Sequence, residues 1–142
     1  MYRPSLLTAA LLLAVAAIAP SVCAATDLSR LDVIDRQVGT GAVARNGAVV
    51  ELNYIGWLYD ENAKDHHGAK VDSSYDRAQT ISFTLGEGKV IPGWDKGIKG
   101  MRVGGKRTLL IPPKFGYGGR RVGNAVPPNA SLVFDIELVG VH

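Results

Sequence analysis

From residue 48 to residue 57 the chain alternates. Val50, Leu52 and Tyr54 fall on one side of an extended backbone, and Val49, Glu51 and Asn53 on the other. A period of two over that length describes a half-buried strand and does not fit a helix. Shorter strand-like runs occupy residues 31–35, 81–85, 106–111 and 131–139, the last with Leu132, Phe134, Ile136 and Leu138 on one face. Turn signals separate them: Gly39-Thr40-Gly41, Asn46-Gly47, Pro112-Pro113 and Pro127-Pro128. One segment has helical spacing instead. Pro92 suits the first helical position, and Trp94, Ile98 and Met101 stand at i, i+4 and i+7. Gly93 and Gly97 weaken that helix in isolation, so the sequence predicts a short helix over 92–98 held by packing. Residues 59–70 are polar and read as an exposed loop. Strands before and after one helix, joined by short links, predict an α+β domain, an antiparallel sheet with the helix on its apolar face.

The first residues follow another pattern. Arg3 gives a positive start, residues 6–19 are apolar apart from Thr8, and small residues surround Cys23-Ala24. This is the order of a secretory signal, and the apolar run is shorter than the ~20 residues a bilayer requires. Residues 1–24 are therefore expected to be a cleavable signal peptide, 25–30 a polar leader and 31–142 the folded domain. That makes the mature protein periplasmic or secreted, without stable membrane insertion. Cys23 is the only cysteine, so a domain beginning at Ala25 has no thiol, disulfide or redox pair. Val22 and Pro20 are poor matches to a lipidation signal, which leaves lipidation of Cys23 as the weaker alternative.

Composition narrows the function classes. Sixteen basic residues against thirteen acidic give a net charge of +3 with no tight basic stripe, which argues against nucleic acid as a partner. No nucleophile triad, phosphate loop or dinucleotide fingerprint is present. His66-His67 lack a nearby third ligand and read as solvent-facing side chains rather than a metal site. What remains is a set of aromatic and aliphatic residues beside glycines. On composition most of these are accounted for as ordinary core residues, with an apolar ligand pocket as the lesser reading. Trp94 and Tyr117 fit the core account less well, since each carries a polar group that burial must satisfy and each lies beside glycines.

Six motifs, in order, carry a resemblance. They are Asn53-Tyr54-Ile55-Gly56-Trp57-Leu58, Val71-Asp72-Ser73-Ser74-Tyr75-Asp76-Arg77, Phe83-Thr84-Leu85-Gly86, Val90-Ile91-Pro92-Gly93-Trp94-Asp95-Lys96-Gly97, Phe115-Gly116-Tyr117-Gly118, and residues 126–134 from Val126-Pro127-Pro128 to Phe134. The chain from about residue 31 onward resembles the FKBP-type peptidyl-prolyl cis-trans isomerases. The resemblance implies a curved antiparallel sheet wrapped around one short helix, with a proline pocket between them. It implies Trp94 as the pocket floor, and Tyr54, Phe83, Val90, Ile91, Val126 and Phe134 as walls. Tyr117 (through its hydroxyl) and Ile91 (through its N–H) would hold substrate carbonyls, and Asp72 would sit at the rim with Arg77 and Tyr54 as partners. Val71 stands where the family usually has Phe, Ile81 replaces another aromatic, and Lys89 stands where Glu or Gln is usual, so two aromatic wall faces are lost.

The implied activity is isomerisation of X-Pro bonds in unfolded or exported polypeptides, with no cofactor. Macrolides such as tacrolimus and rapamycin are implied as further ligands. A proline-recognising chaperone or adaptor with weak turnover is the alternative reading, and a generic binder of small apolar ligands is a third.

Overall fold

The computed structural model describes residues 28–142. The expectations for residues 1–24, Cys23 among them, and for the first half of the leader lie outside these residues. Six strands form one antiparallel sheet: β1 (Asp32–Gln37), β2 (Val49–Tyr59), β3 (His67–Ser73), β4 (Ile81–Thr84), β5 (Lys106–Ile111) and β6 (Leu132–Val141). Their order is β1-β5-β6-β2-β3, with β4 also paired to β2. The long strand β2 thus has β6 along one edge, while β4 covers the first half of its other edge and β3 the second. The expected α+β class holds, and the sheet curves around α1 (Pro92–Gly97), the one α-helix among the described residues.

The alternation in β2 predicts the core correctly. Val50 and Leu52 are fully buried and Tyr54 is 6% exposed, while Glu51 and Asn53 face outward. Leu132, Phe134, Ile136 and Leu138 of β6 join them, with Leu109 and Ile111 of β5 and with Trp94, Ile98 and Met101 from α1 and its exit. The two helix glycines have a packing reason. A Cβ on Gly93 would lie 2.7 Å from Cγ2 of Ile111, and one on Gly97 would lie 2.7 Å from Cδ2 of Leu109. The helix therefore rests almost backbone-first on β5. Gly56 plays a similar part opposite Phe134, where a Cβ would fall 2.4 Å from Cε1 of the ring. Only glycine lets that ring lie across β2.

Two expectations need correction. Residues 67–70 are not an exposed loop but the first half of β3, paired with β2 through register shifts between Gly56 and Trp57 and between Trp57 and Tyr59. Nor do the two histidines face solvent. His67 stacks on Trp57 with ring centroids 3.6 Å apart, and His66 stacks on Tyr59 at 5.0 Å. Both imidazoles are half-buried by aromatic neighbours that pairing of β2 and β3 brings close. Among the described residues, no group of three or more His, Cys, Asp or Glu could hold a metal ion, and no helix is long and apolar enough to cross a membrane.

Candidate functional site

A cleft of about 630 Å³ opens between α1, the segment leading into it and the loop after β5. Its lining includes Tyr54, Ile81, Val90, Ile91, Trp94 and Tyr117, all expected from the sequence. Trp94 has aromatic neighbours on several sides. Tyr54 meets it edge-on at 4.9 Å between centroids, Phe134 at 5.2 Å and 89°, and Phe83 lies tilted at 5.9 Å. Edge-to-face pairs at these distances add about 0.5–1.5 kcal/mol each beyond the area they bury. The indole plane is therefore fixed before any ligand arrives.

Its polar edge is not satisfied. Trp94 Nε1 is buried without a hydrogen-bond partner, against the expectation that burial would supply one. A buried orphan donor costs about 1–3 kcal/mol. The aromatic packing holds the ring in place at that cost.

Phe83, Val126 and Phe134 lie behind the cleft rather than on its surface. They belong to the buried core cluster and support the lining from below. Val71 also stands back from the cleft, half-buried against the same cluster.

At the rim, Tyr54, Asp72 and Arg77 close a ring of hydrogen bonds. The Tyr54 hydroxyl donates to Asp72. Arg77 donates to Asp72 Oδ1 at 2.8 Å and to the Tyr54 oxygen at 2.9 Å. Two local features set this up. Ser74, fully buried, accepts from the Tyr54 N–H at 2.9 Å and ties the turn Ser74–Arg77 to β2, and Ser73 caps that turn by accepting from Tyr75. Burial pushes the Asp72 carboxyl up, but the hydrogen bonds from Tyr54, Arg77 and the Ser73 N–H, with the Arg77 charge, outweigh it. The net effect holds Asp72 below the ordinary carboxylate value. The Asp72 and Arg77 side chains are nearly half exposed, and an ion pair so open to water adds little to stability. What the ring of bonds provides is a fixed orientation for Tyr54.

Tyr117 sits on the loop that follows Pro113–Phe115. Gly116 and Gly118 both donate to the Pro113 carbonyl, and Asn129 donates to Gly118, which folds the loop back on itself. The Tyr117 hydroxyl makes no hydrogen bond among the described residues. Burial, and then the nearby Asp72 charge, push its pKa above the ordinary tyrosine value, so it remains a proton donor.

Sequence reasoning missed some of the site. Asp95 accepts from the N–H groups of Gly86 and Gly88, at 2.9 and 3.0 Å, which pins the turn before Val90-Ile91 to the helix bearing Trp94. Its signal was an acidic residue in the first turn of a helix that follows a Gly-x-Gly turn. Pro92, Lys114, Gly116, Gly118 and Arg120 complete the lining with Lys89. The lining holds no carboxylate, imidazole or thiol. It can grip an apolar ring and hydrogen-bond its carbonyls, but it presents no general base and no strong nucleophile.

Comparison with known proteins places this site in context. The family model for FKBP-type peptidyl-prolyl cis-trans isomerases matches residues 41–139. An FK506-binding protein of Neisseria meningitidis serogroup A is 44% identical over 115 residues, covering 81% of this chain and 99% of the relative. FK506-binding protein 1A of Neurospora crassa is 43% identical over 80% of this chain and 90% of its own. Among solved structures, AtFKBP13 superposes with a TM-score of 0.69 at 40% identity, covering 82% of this chain and 96% of that one. FkpA from Escherichia coli gives 0.67 at 40% identity, over 78% of this chain and 47% of its own.

Proposed function

The chain belongs to the FKBP-type peptidyl-prolyl cis-trans isomerase family, and from that premise we propose that it accelerates rotation about X-Pro bonds in unfolded polypeptides. The observation that carries the reading is an apolar cleft floored by a rigid indole with one unpaired hydroxyl, Tyr117, at its wall. Uncatalysed rotation is slow because it breaks amide resonance, a barrier of ~18–20 kcal/mol. The planar amide is more dipolar than the twisted transition state, so a dry pocket disfavours the ground state more than the transition state. In this proposal the prolyl ring rests on Trp94, between Tyr54 and Ile91. The Tyr117 hydroxyl and the Ile91 N–H hold the flanking carbonyls while the bond turns. No proton is transferred and no covalent bond forms. Macrolides such as tacrolimus are proposed to compete for the same cleft, a reading supported by the FK506-binding names of the relatives.

Refolding of a protein limited by a trans-to-cis prolyl step tests this reading. The domain should accelerate it at substoichiometric amounts, and added tacrolimus should suppress the acceleration. A chaperone or adaptor without turnover would need near-equimolar protein. The same assay has a definite pH signature. Asp72 is depressed below 3.8, so the stability its ionised form brings is complete above that value and is lost as pH falls through the lower folded value. Tyr54 and Tyr117 are raised above 10.0. The preference for their protonated forms is complete below that value and is lost as pH rises through the higher folded values. The rate should therefore stay flat from about pH 6 to about pH 8, far from the reference pKa of either residue type. A bell-shaped profile inside that window would instead indicate general acid–base catalysis.

We further propose that residues 1–24 direct export to the periplasm or beyond and are then removed, on the strength of their basic, apolar and small-residue order. Intact-mass measurement on protein recovered from a bacterial envelope fraction should give a chain starting near Ala25. Retention of the leader, or a diacylglycerol-sized mass on Cys23, would overturn this.

A further inference from the structure

Three basic side chains stand along the apolar cleft. Lys89, in the segment leading into α1, and Lys114 and Arg120, in the loop after β5, all line it, and all three are exposed. Lys114 lies 5.1 Å from the centre of the Phe115 ring, and among the described residues neither Lys114 nor Arg120 has an ion pair. Lys89 meets Glu87 at 3.7 Å, a contact with both side chains more than half exposed. The other nearby carboxylates are already engaged. Asp95 accepts from Gly86 and Gly88, and Asp72 is held by Tyr54 and Arg77. The rim therefore presents two cations with no ion pair among the described residues, Lys114 and Arg120, and a third, Lys89, whose contact with Glu87 is open to water, around a pocket whose floor, Trp94, carries no charge.

We propose that this rim selects proline segments that carry aspartate or glutamate beside the prolyl bond, with Lys89, Lys114 and Arg120 as the specificity-determining residues. The proposal rests on the isomerase reading for what fills the cleft, and adds which segments enter it best. Exposed charges at a rim act mainly on association and respond to salt. Each such pair changes affinity about twofold to fivefold, so three cations together should favour an acidic peptide over its lysine counterpart by about tenfold. Screening should erase most of this, since the Debye length falls from about 30 Å at about 0.01 M salt to about 3 Å at about 1 M.

The experiment compares matched proline peptides with Asp, Ala or Lys on either side of the X-Pro unit. It records kcat/KM for isomerisation and, separately, binding by tryptophan fluorescence, at low and high salt. The expected order is Asp over Ala over Lys at low salt, converging at high salt. Lys89→Glu and Arg120→Glu, each at an exposed position, should each shrink the Asp-to-Lys ratio by about threefold. Equal rates for the Asp and Lys peptides at low salt, or a ratio indifferent to both variants, would overturn the charge selection while leaving the isomerase reading intact. Charge-ordered binding without turnover would do the reverse. Neither binding nor turnover of any peptide would reject both.

Discussion

Replacing Trp94 with leucine is expected to lower kcat/KM toward every proline peptide by roughly ten- to a hundredfold, whatever residue precedes the proline. Only 5% of the Trp94 surface is exposed, so a bound ring touches one patch of the indole and the contact depends on shape. Leucine leaves a gap under the prolyl ring, and a mismatch of that size in an apolar pocket is worth about 1–3 kcal/mol. The protein should survive the change. Cutting a large core side chain costs about 2–5 kcal/mol, but removing the unsatisfied Nε1 returns about 1–3 of that. Trp94→Phe separates the face from the N–H. Phenylalanine keeps an aromatic floor without the orphan donor, so it should retain most activity and lie within about 1 kcal/mol of wild type in stability. Urea unfolding and peptide kinetics on both variants check this. If Trp94→Phe is as inactive as Trp94→Leu, the indole N–H serves the substrate and the floor is not the main contribution.

The second large effect concerns a substitution that local propensity favours. Alanine is about 1 kcal/mol better than glycine inside a helix, so Gly93→Ala would be stabilising if α1 stood alone. In the folded protein the new methyl would sit 2.7 Å from Cγ2 and 2.8 Å from Cδ1 of Ile111, a side chain with no exposed surface. Overpacking of this kind costs about 1–3 kcal/mol, which offsets the helix gain and leaves a net loss of up to about 2 kcal/mol. At about 4–8 °C per kcal/mol, a domain of this size should melt several degrees lower. Activity should fall as well, because lifting α1 from β5 moves Trp94, the next residue in the chain. Gly119→Ala is the control. A Cβ there meets only Asn129 Oδ1 at 3.9 Å, so that variant should be neutral or gain about 0.4–1 kcal/mol. A stabilised Gly93→Ala would mean the helix has room to move and that its seat on β5 is not what positions the floor.

Gly93 also marks a boundary between what local sequence predicts and what packing decides. Alternation in β2 and β6 gave the buried faces because a strand's side chains report directly which side is wet. Pro92 and the Trp94-Ile98-Met101 spacing gave the helix to within a residue, and Lys106–Ile111 is a strand as expected. The six ordered motifs identified the family. Other features depended on residues distant in sequence. β3 lacks alternation because it is an edge strand, defined by hydrogen bonds to β2 rather than by a dry face. Its polar residues looked like loop, and only pairing with β2 brought His67 onto Trp57. The orphaned Trp94 N–H is likewise a result of packing, since no local pattern says whether a buried donor finds an acceptor. Positive charges that look scattered along the chain converge on one cleft because the fold brings residues 89, 114 and 120 together. Periodicity encodes solvent exposure one residue at a time. The spacing of α1 from β5, the partners of an edge strand and the gathering of basic side chains at a cleft are set by long-range contacts, so only the tertiary structure could decide them.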